Sequence, residues 1–423
     1  MIKSILKFLN LEKTKIFYFS LLFIEKIIIL AFHFYFVTKL SSELYGIYNQ
    51  TNFISSLFQN LLMFGAAIPF IINYSKDSKA KTYYFNFFVQ ASVILTVVIF
   101  SLIILFNSFF SELIYGQTVY YSYFLILFLV TVSDVYSEYI IVSNRVENKL
   151  MVHSKFILLR SIIKVISLIG LFFVLQDFYI SFLISSVLYL IYSIYVSSNT
   201  LSISYISLIR VYNEFKGEIR STFFEGFKFV LIYVLTTSSS LLINLLIVGQ
   251  LDIATLAIYN FNYVLASIPI SILGYITYYS LPEFSKYSFN SKIIYRSNLI
   301  KDITLSLIIF IVFFLIVFFS YDFIISVVKD YYSNKKLFVI IFSANLIFMF
   351  NNFMQFPLLT NKNYSRIVYI TFISLLCNIY YLYSNPSDFN IITPVIGFLI
   401  ANIVSFLLLL LTQIEFRINK SKS

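Results

Sequence analysis

The chain has 423 residues, of which 60% are hydrophobic and 12% are charged, and its mean hydropathy is +0.89. A soluble domain carries about 25% charged residues, so the composition excludes an ordinary soluble protein and predicts an integral membrane protein. The formal net charge of +11 suits the lysine and arginine excess of cytoplasmic loops, and no nucleic-acid partner is expected. One cysteine, Cys377, excludes an internal disulfide or a cysteine metal cluster, and no nucleotide-phosphate motif is present. We therefore expect neither a cofactor nor a bound metal.

A membrane-spanning helix needs about 20 mainly apolar residues, and twelve stretches meet this condition. No A-x-A-like cleavage site follows the first stretch, so it is predicted to be a retained span rather than a signal peptide. The predicted spans are 16–38, 47–73, 85–107, 119–143, 155–175, 178–198, 223–248, 255–280, 303–328, 336–359, 366–384 and 390–412.

The distribution of lysine and arginine predicts the orientation of these spans. Segments on the side of the N-terminus hold 22 such residues, and the opposite segments hold only four, Lys39, Lys329, Lys335 and Lys336. Cytoplasmic loops carry the excess of lysine and arginine. Both termini are therefore predicted to be cytoplasmic.

A long connection divides the chain into two halves. The predicted domains are an N-terminal six-helix bundle (1–198), a cytoplasmic amphipathic linker (199–222) and a C-terminal six-helix bundle (223–423). The linker alternates apolar and charged residues, which favours a helix on the membrane surface, with a solvated linker as the alternative. The segments YGIYNQTNF (45–53) and LAIYNFNYV (256–264) each open the second helix of a half. This echo indicates parallel repeats, as in transporters of duplicated origin.

Ionisable residues inside the predicted spans are costly and normally face a polar interior. They form four stripes at helical spacing: Glu25, Lys26 and His33 in the first span, Asp134 and Glu138 in the fourth, Arg160 and Lys164 in the fifth, and Glu225 and Lys228 in the seventh. Because like charges stacked on one face repel, the fourth and fifth spans are expected either to bridge each other or to be completed by a charged substrate.

Structural roles are the alternative for several of these residues. Glu25 and Lys26 would then neutralise each other, whereas Glu225 and Lys228 would reach the lipid headgroups. His153 is expected in a loop. Uncharged polar residues predict a second part of the lining, although such residues also act as packing contacts between membrane helices; the candidates are Asn49, Asn52, Asn60, Asn260, Asn345 and Asn352.

The six-plus-six arrangement, the cytoplasmic termini, the basic linker and the stretch ELYGIYNQTNFISSLFQNLLMFGAAIPFIINYSK (43–76) resemble the Wzx-type O-antigen flippases. This family belongs to the polysaccharide-transport branch of the superfamily that contains the MATE drug exporters. Its second helix opens with an "LG.Y" type turn, where this chain has Leu44-Tyr45-Gly46-Ile47-Tyr48, and a small-residue segment such as Gly65-Ala66-Ala67 follows. The resemblance implies a MATE-like fold of two parallel six-helix bundles in the bacterial inner membrane.

The resemblance also implies a function. Such a protein transfers an undecaprenyl-diphosphate-linked oligosaccharide from the cytoplasmic to the periplasmic leaflet by alternating access, with H⁺ or Na⁺ as the coupling ion. Its partners would be the lipid-linked oligosaccharide, membrane lipids, and the polymerase and chain-length proteins of glycan assembly. By charge and position, Lys26, Arg160, Lys164 and Lys228 would then bind the anionic cargo. The ion-coupling candidates would be Glu25, His33, Asp134, Glu138 and Glu225.

Three alternatives stay open at this point. A MATE-like exporter of cationic drugs shares the fold but favours an acidic cavity, whereas the spans hold four basic and four acidic residues. A membrane polymerase or glycosyltransferase would have similar hydropathy, but its catalytic groups need larger outer loops than this chain is predicted to have. A flippase for a capsule or teichoic-type glycan is not distinguishable from an O-antigen flippase by these residues. The predicted protein is therefore a transporter and not an enzyme.

Overall fold

A computed structural model of the chain describes residues 13–65, 79–147, 149–201, 208–286, 292–328, 332–360, 363–385 and 389–421. These residues form α-helices and one 3₁₀ turn, with no strand among them, which confirms the predicted all-α class. The N-terminal half contributes α1 Lys13–Lys39, α2 Ser42–Leu62, α3 Lys79–Leu105, the short α4 Asn107–Tyr115, α5 Tyr123–Val146, α6 Leu150–Leu175 and α7 Phe178–Leu201. The 3₁₀ turn, Thr118–Ser122, lies between α4 and α5.

The second half of the chain contributes six further helices. They are α8 Leu208–Gln250, α9 Ile253–Lys286, α10 Lys292–Val327, α11 Lys335–Thr360, α12 Tyr364–Ser384 and α13 Thr393–Ser421. Within the described ranges, twelve helices of 21 to 43 residues therefore correspond to the twelve predicted spans, and α4 is an additional short helix. Eleven of the twelve contain a segment long and apolar enough to cross a membrane. The described part of α2 is too polar for that criterion.

The second predicted span, 47–73, is not one uninterrupted helix. Its helix α2 begins earlier, at Ser42, and ends at Leu62. The chain then turns through Phe64 and Gly65, whose φ angles are +53° and +59°. A Cβ on Gly65 would lie 2.3 Å from the carbonyl oxygen of Gly226 in α8, so the glycine permits both the left-handed backbone and this close approach. The rest of the predicted span, 66–73, lies outside the described residues.

Part of the predicted linker is helical in the structure. Helix α7 continues to Leu201 and α8 begins at Leu208, so the second part of the linker belongs to the same helix as the seventh span. The 43 residues of α8 correspond to about 65 Å at 1.5 Å per residue, roughly twice the thickness of the hydrocarbon core. No proline interrupts residues 208–250, so nothing in the local sequence forces a break between the polar segment and the span.

The packing of the helices divides the chain into two units. The first comprises Met1–Phe36 and Ile47–Val230, and the second comprises Val37–Gly46 and Leu231–Ser423. In the first unit, α7, the sixth long helix, packs extensively on α5 and α6. In the second, α13, the twelfth long helix, packs extensively on α11 and α12. The tenth, eleventh and twelfth helices thus repeat the pairing of the fourth, fifth and sixth, as a duplicated architecture requires.

A hydrogen bond at the echoed segments also recurs. Thr51, two residues after the IYN of the first half, lies 2.9 Å from the hydroxyl of Tyr115 through its Oγ1. Asn262, two residues after the IYN of the second half, accepts a hydrogen bond of 2.8 Å from the hydroxyl of Tyr321. All four side chains are largely buried. The recurrence supports the repeat prediction with an interaction that the two segments alone do not reveal.

Candidate functional site

Asp134 of α5 is the centre of a hydrogen-bonded group inside the first unit. Its Oδ2 accepts a hydrogen bond of 2.8 Å from Ser55 Oγ of α2, and its Oδ1 accepts one of 2.8 Å from the Tyr189 hydroxyl of α7. The Tyr189 hydroxyl also lies 3.1 Å from Ser137 Oγ, which lies 3.2 Å from Ser193 Oγ. Asp134 is 8% exposed, and Tyr189 is fully buried. The carboxylate therefore connects three helices through polar contacts.

Arg160 of α6 lies among the carboxylates but does not contact them directly. Asp134, Glu138 and Glu25 all interact with it electrostatically. Among the described residues, however, no carboxylate oxygen lies within 4 Å of its guanidinium, and that group makes no hydrogen bond. The direct bridge between the fourth and fifth spans, one of the two predicted alternatives, is thus not formed in the described part of the chain. The arginine has its opposite charges nearby and its five donors available to another group.

Lys164, one helical turn further along α6, is placed in a similar way. Its Nζ lies 5.4 Å from the centroid of the Tyr189 ring, a cation–π distance. Asp134 interacts with Lys164 electrostatically, but no carboxylate of the described residues is within 4 Å of its ammonium group. Both cations of α6 are half-buried. The arrangement therefore presents two adjacent positive groups inside a bundle of low dielectric.

Glu25 and Lys26 of α1 form an ion pair next to α6. Lys26 Nζ lies 3.1 Å from Glu25 Oε2, and the two side chains are 16% and 3% exposed. Glu25 Oε1 also accepts a hydrogen bond of 2.8 Å from Ser161 Oγ of α6. The structure therefore joins α1 to the helix that carries Arg160 and Lys164. The ion pair in which Glu25 and Lys26 neutralise each other, predicted as one alternative, is present. Its glutamate also contacts α6 through Ser161.

Glu138, one turn after Asp134, completes the group of acidic side chains. It is half-buried, and it interacts electrostatically with Arg160 and Arg145. Gln59 of α2 is its polar neighbour. In total the structure brings together six of the predicted charged residues, three basic and three acidic: Lys26, Arg160, Lys164, Glu25, Asp134 and Glu138. We call these six residues the charged cluster.

The remaining predicted ionisable residues have other surroundings. His33 is buried, and its ring lies 5.6 Å from that of Phe32 and 6.3 Å from that of Tyr48, in an aromatic region. Glu225 is half-buried and Lys228 is exposed on α8, and no interaction described for Lys228 connects it with the charged cluster. His153 was expected in a loop, but it lies inside α6. It is 1% exposed, and its ring centroid lies 5.8 Å from that of Tyr18. The helix begins at Leu150, three residues before His153.

The predicted asparagines are divided between the two units. In α2, Asn49, Asn52 and Asn60 are half-buried; Asn52 and Asn60 donate to their own helix, to Tyr48 O and Ser56 O. The Oδ1 of Asn52 is buried without a hydrogen-bond partner. In the second unit, Asn260 and Asn345 are buried and Asn352 is half-buried. Asn345 Nδ2 donates to Ala266 O of α9 at 3.1 Å, which is a packing role.

The second unit has a small cavity, of about 30 Å³, that the sequence prediction did not identify. No charged side chain occurs among its described lining residues. Five of these are apolar, Leu235, Phe348, Leu375, Phe398 and Ala401, and eight carry hydroxyl or amide groups: Thr236, Ser239, Asn351, Gln355, Thr371, Ser374, Asn402 and Ser405. Asn351 Nδ2 donates to Asn402 O at 3.0 Å, while its Oδ1 is buried and unpaired. The spacings 371, 374 and 402, 405 are helical and could have indicated a polar face. Among the described residues no group of three His, Cys, Asp or Glu side chains could hold a metal ion.

The chain matches no protein-family model and no curated protein sequence. Solved structures do match over nearly the whole chain. The lipid II flippase MurJ, in an inward closed conformation, aligns with a TM-score of 0.68 and 16% identity, covering 94% of this chain and 87% of that chain. A variant of the MATE transporter VcmN of Vibrio cholerae aligns with a TM-score of 0.69 and 12% identity, covering 96% and 98%.

A third match is a MOP superfamily transporter from Pyrococcus furiosus, whose structure is described as showing a binding pocket of reversed polarity. It aligns with a TM-score of 0.64 and 13% identity, and covers 96% of this chain and 93% of that chain. These proteins share a fold while having few residues in common with this chain. The chain therefore has the fold of the MATE and MurJ transporters of the MOP superfamily, which confirms the predicted all-α, MATE-like membrane architecture.

Proposed function

We propose that the chain is a flippase that moves an undecaprenyl-diphosphate-linked oligosaccharide, an O-antigen repeat unit, from the cytoplasmic to the periplasmic leaflet. The observation that carries this proposal is the pair of half-buried cations on α6, Arg160 and Lys164. Neither has a carboxylate of the described residues within 4 Å. Charges inside a membrane protein are normally paired or serve a pathway, and a diphosphate is a dianionic partner of the right sign. Arg160 offers the planar fork of donors that suits phosphate oxygens.

The shared fold with MurJ gives this proposal independent support. MurJ is named as a flippase of lipid II, so the same architecture serves a lipid-linked molecule in at least one case. Fold alone does not determine a substrate, and here the argument depends on the charges of α6. The asparagines of α2 would suit the uncharged hydroxyls of a sugar.

Coupling to an ion gradient is assigned to the acidic members of the charged cluster. Glu25, Asp134 and Glu138 lie close enough to Arg160 to interact with it electrostatically. Binding of H⁺ or Na⁺ to one of these carboxylates would change the field at the cations, and thus their affinity for an anion. By reciprocity, the anion would change the affinity of the carboxylates for the coupling ion. His33, in its aromatic surroundings, is a further candidate.

A MATE-like exporter of cationic molecules is the second candidate. It is favoured by the three carboxylates of the charged cluster and by the fold shared with VcmN. The two cations of α6 oppose it, because a cationic drug would have to approach Arg160 and Lys164 against their repulsion. Flippases for capsule or teichoic-type glycans would use the same cationic pair. Transport assays with different lipid-linked glycans are therefore needed to distinguish the glycan class.

The proposal places the protein in the bacterial inner membrane, with lipid-linked oligosaccharide, membrane lipids and the glycan polymerase and chain-length proteins as its partners. It is a transporter without an enzymatic step. The solved structures that share its fold are transporters and flippases.

Transport in closed vesicles tests the proposal. The purified chain is reconstituted with lipid-linked repeat units, and the fraction of glycan accessible to an external glycosidase is followed over time. We expect the accessible fraction to change without any change in glycan length, and the Arg160→Ala, Lys164→Ala double variant to be inactive. Export of a cationic dye without movement of the glycan would favour the MATE-like candidate. Longer glycans made by this protein alone would contradict transport.

A further inference from the structure

A cavity at the start of α8 lies apart from the charged cluster and has no role in the proposed transport. Its volume is about 290 Å³, roughly ten times the volume that one water molecule occupies in the liquid. Aromatic side chains supply most of the wall: Phe64, Phe87, Phe88, Tyr212 and Phe223. Such a lining gives water few hydrogen-bond partners, and an apolar occupant is favoured.

Arg220 is the single charged residue among the described residues of this wall. It is exposed, and its described contact is with the ring of Phe224, at 5.7 Å from the ring centroid. No carboxylate of the described residues pairs with its guanidinium within 4 Å. The cavity therefore combines an apolar interior with one available positive charge.

Residues on the same side of α8 as Arg220 are also basic or aromatic. At about 100° per residue, Lys216, Phe223 and Phe227 fall within about 60° of Arg220 on α8. Glu225, which is half-buried, falls about 140° away, on the other side of the helix axis. Lys216 is exposed, and Phe223 and Phe227 are 43% and 53% exposed. Among the side chains of α8 that the structure describes, this side is thus basic and aromatic.

The location of Arg220 in the membrane follows from the apolar segment of α8. The predicted seventh span begins at residue 223, so Arg220 lies three residues before its start, at the level where headgroups are expected. The charge distribution of the loops predicts that this end is cytoplasmic. Anionic lipids of the cytoplasmic leaflet attract lysine and arginine at this depth.

We propose that this cavity binds an anionic phospholipid of the bilayer, with part of an acyl chain between the aromatic side chains and the phosphate at Arg220. A single guanidinium matches a phosphodiester carrying one negative charge, and the pairing would be charge-assisted. The bound lipid would hold the base of α8 against α2 and α3, next to the contact between Gly65 and Gly226. This site shares no residue with the charged cluster and does not depend on the proposed transport.

Lipid retention by the full-length protein tests the site. The purified chain is exchanged into detergent micelles containing equal amounts of phosphatidylglycerol and phosphatidylcholine with identical acyl chains, and the retained lipids are counted by native mass spectrometry. We expect phosphatidylglycerol to be preferred and Arg220→Gln to reduce that preference about fivefold, the ratio that corresponds to about 1 kcal/mol for one basic residue near anionic lipid. Lys155→Gln, which removes an exposed cation of α6, should leave the preference unchanged.

A second variant separates the chain-binding part from the charge. Ala91 lines the cavity on α3, and Ala91→Leu should fill it, lowering retention of both lipids while leaving their ratio unchanged. Ser101→Leu, at an exposed position of the same helix, is its matched control. An unchanged headgroup preference in Arg220→Gln, or unchanged retention in Ala91→Leu, would overturn the proposal. Displacement of phosphatidylglycerol by an equimolar undecaprenyl-diphosphate-linked glycan, with the effect lost in Arg220→Gln, would also overturn it by identifying the cargo lipid as the occupant.

Discussion

The hydroxyl of Tyr189 donates a hydrogen bond of 2.8 Å to the carboxylate of Asp134, 55 positions earlier in the chain. The same ring lies 5.4 Å from the ammonium group of Lys164. One side chain of α7 thus contacts the acidic stripe of α5 with its hydroxyl and the basic stripe of α6 with its face. Tyr189 therefore links Lys164 to Asp134, although no direct ion pair joins these two residues.

Loss of the Tyr189 hydroxyl should destabilise the protein. In Tyr189→Phe the buried Asp134 keeps Ser55 as a donor but loses its other one, and we expect a loss of about 1–3 kcal/mol. The apparent unfolding midpoint of the detergent-purified protein measures this effect. Tyr192→Phe is the control, because the Tyr192 ring stacks on Phe156 and no hydrogen bond to its hydroxyl is described. Equal midpoints for the two variants would show that the Tyr189–Asp134 bond contributes nothing.

Substitution of the α6 cations should abolish transport without loss of protein. We expect Arg160→Ala and Lys164→Ala to insert normally and to stop glycan display in a flippase-deficient strain, and Arg160→Lys to retain part of the activity. Membrane abundance, measured beside display, distinguishes binding from folding. A purely structural arginine predicts the opposite pattern: Arg160→Ala would lower abundance, and Asp134→Asn or Glu138→Gln would restore it, since removing a buried partner can cost about 3–5 kcal/mol.

Glu25→Gln should weaken coupling more than cargo binding. Its carboxylate holds Lys26 at 3.1 Å and accepts from Ser161 at 2.8 Å, so the neutral amide keeps the shape but loses the charge. We expect transport in vesicles to become less dependent on an imposed H⁺ or Na⁺ gradient, with the variant still inserted. Unchanged gradient dependence would assign Glu25 to the ion pair alone.

Gly65→Ala should be strongly destabilising. Its φ is +59°, and an added Cβ would lie 2.3 Å from Gly226 O, so the backbone cost of about 1–2 kcal/mol for a left-handed alanine adds to a steric clash. Gly170→Ala is the matched control, since nothing lies within 4 Å of a Cβ at that position of α6. There the helix should gain about 0.5–1 kcal/mol. Similar unfolding midpoints for the two variants would contradict the proposed close approach.

Topology reporters test the orientation predicted from lysine and arginine. Fusions after residues 78, 148, 215, 290 and 363 should report the cytoplasm, and fusions after 112, 252 and 387 the periplasm. The fusion at 215 is the most informative, because it lies within α8, the helix that links the two halves. A periplasmic signal there would remove the six-plus-six division and the argument for parallel repeats.

The sequence by itself determined that this protein lies in a membrane, and it determined the approximate positions of its helices. Hydrocarbon thickness requires about 20 apolar residues for each span, and that requirement is local, so it is visible in stretches such as 178–198 without knowledge of neighbours. Helical spacing likewise placed Asp134 with Glu138, and Arg160 with Lys164, on common faces. Helix ends were less predictable, because the break after Leu62 depends on the approach of Gly65 to a glycine 161 positions later.

Tertiary structure alone decided which of these faces meet and through which atoms. Six of the nine predicted charged residues come together, whereas Lys228 is exposed on α8 and His33 lies among aromatic rings. Tyr189 was not predicted, since a tyrosine in an apolar helix has no sequence signal until its hydroxyl meets Asp134. The continuity of α8 through the linker was missed for the same reason. Distances between side chains on different helices depend on packing across the bundle, and a periodicity within one helix carries no information about its neighbour.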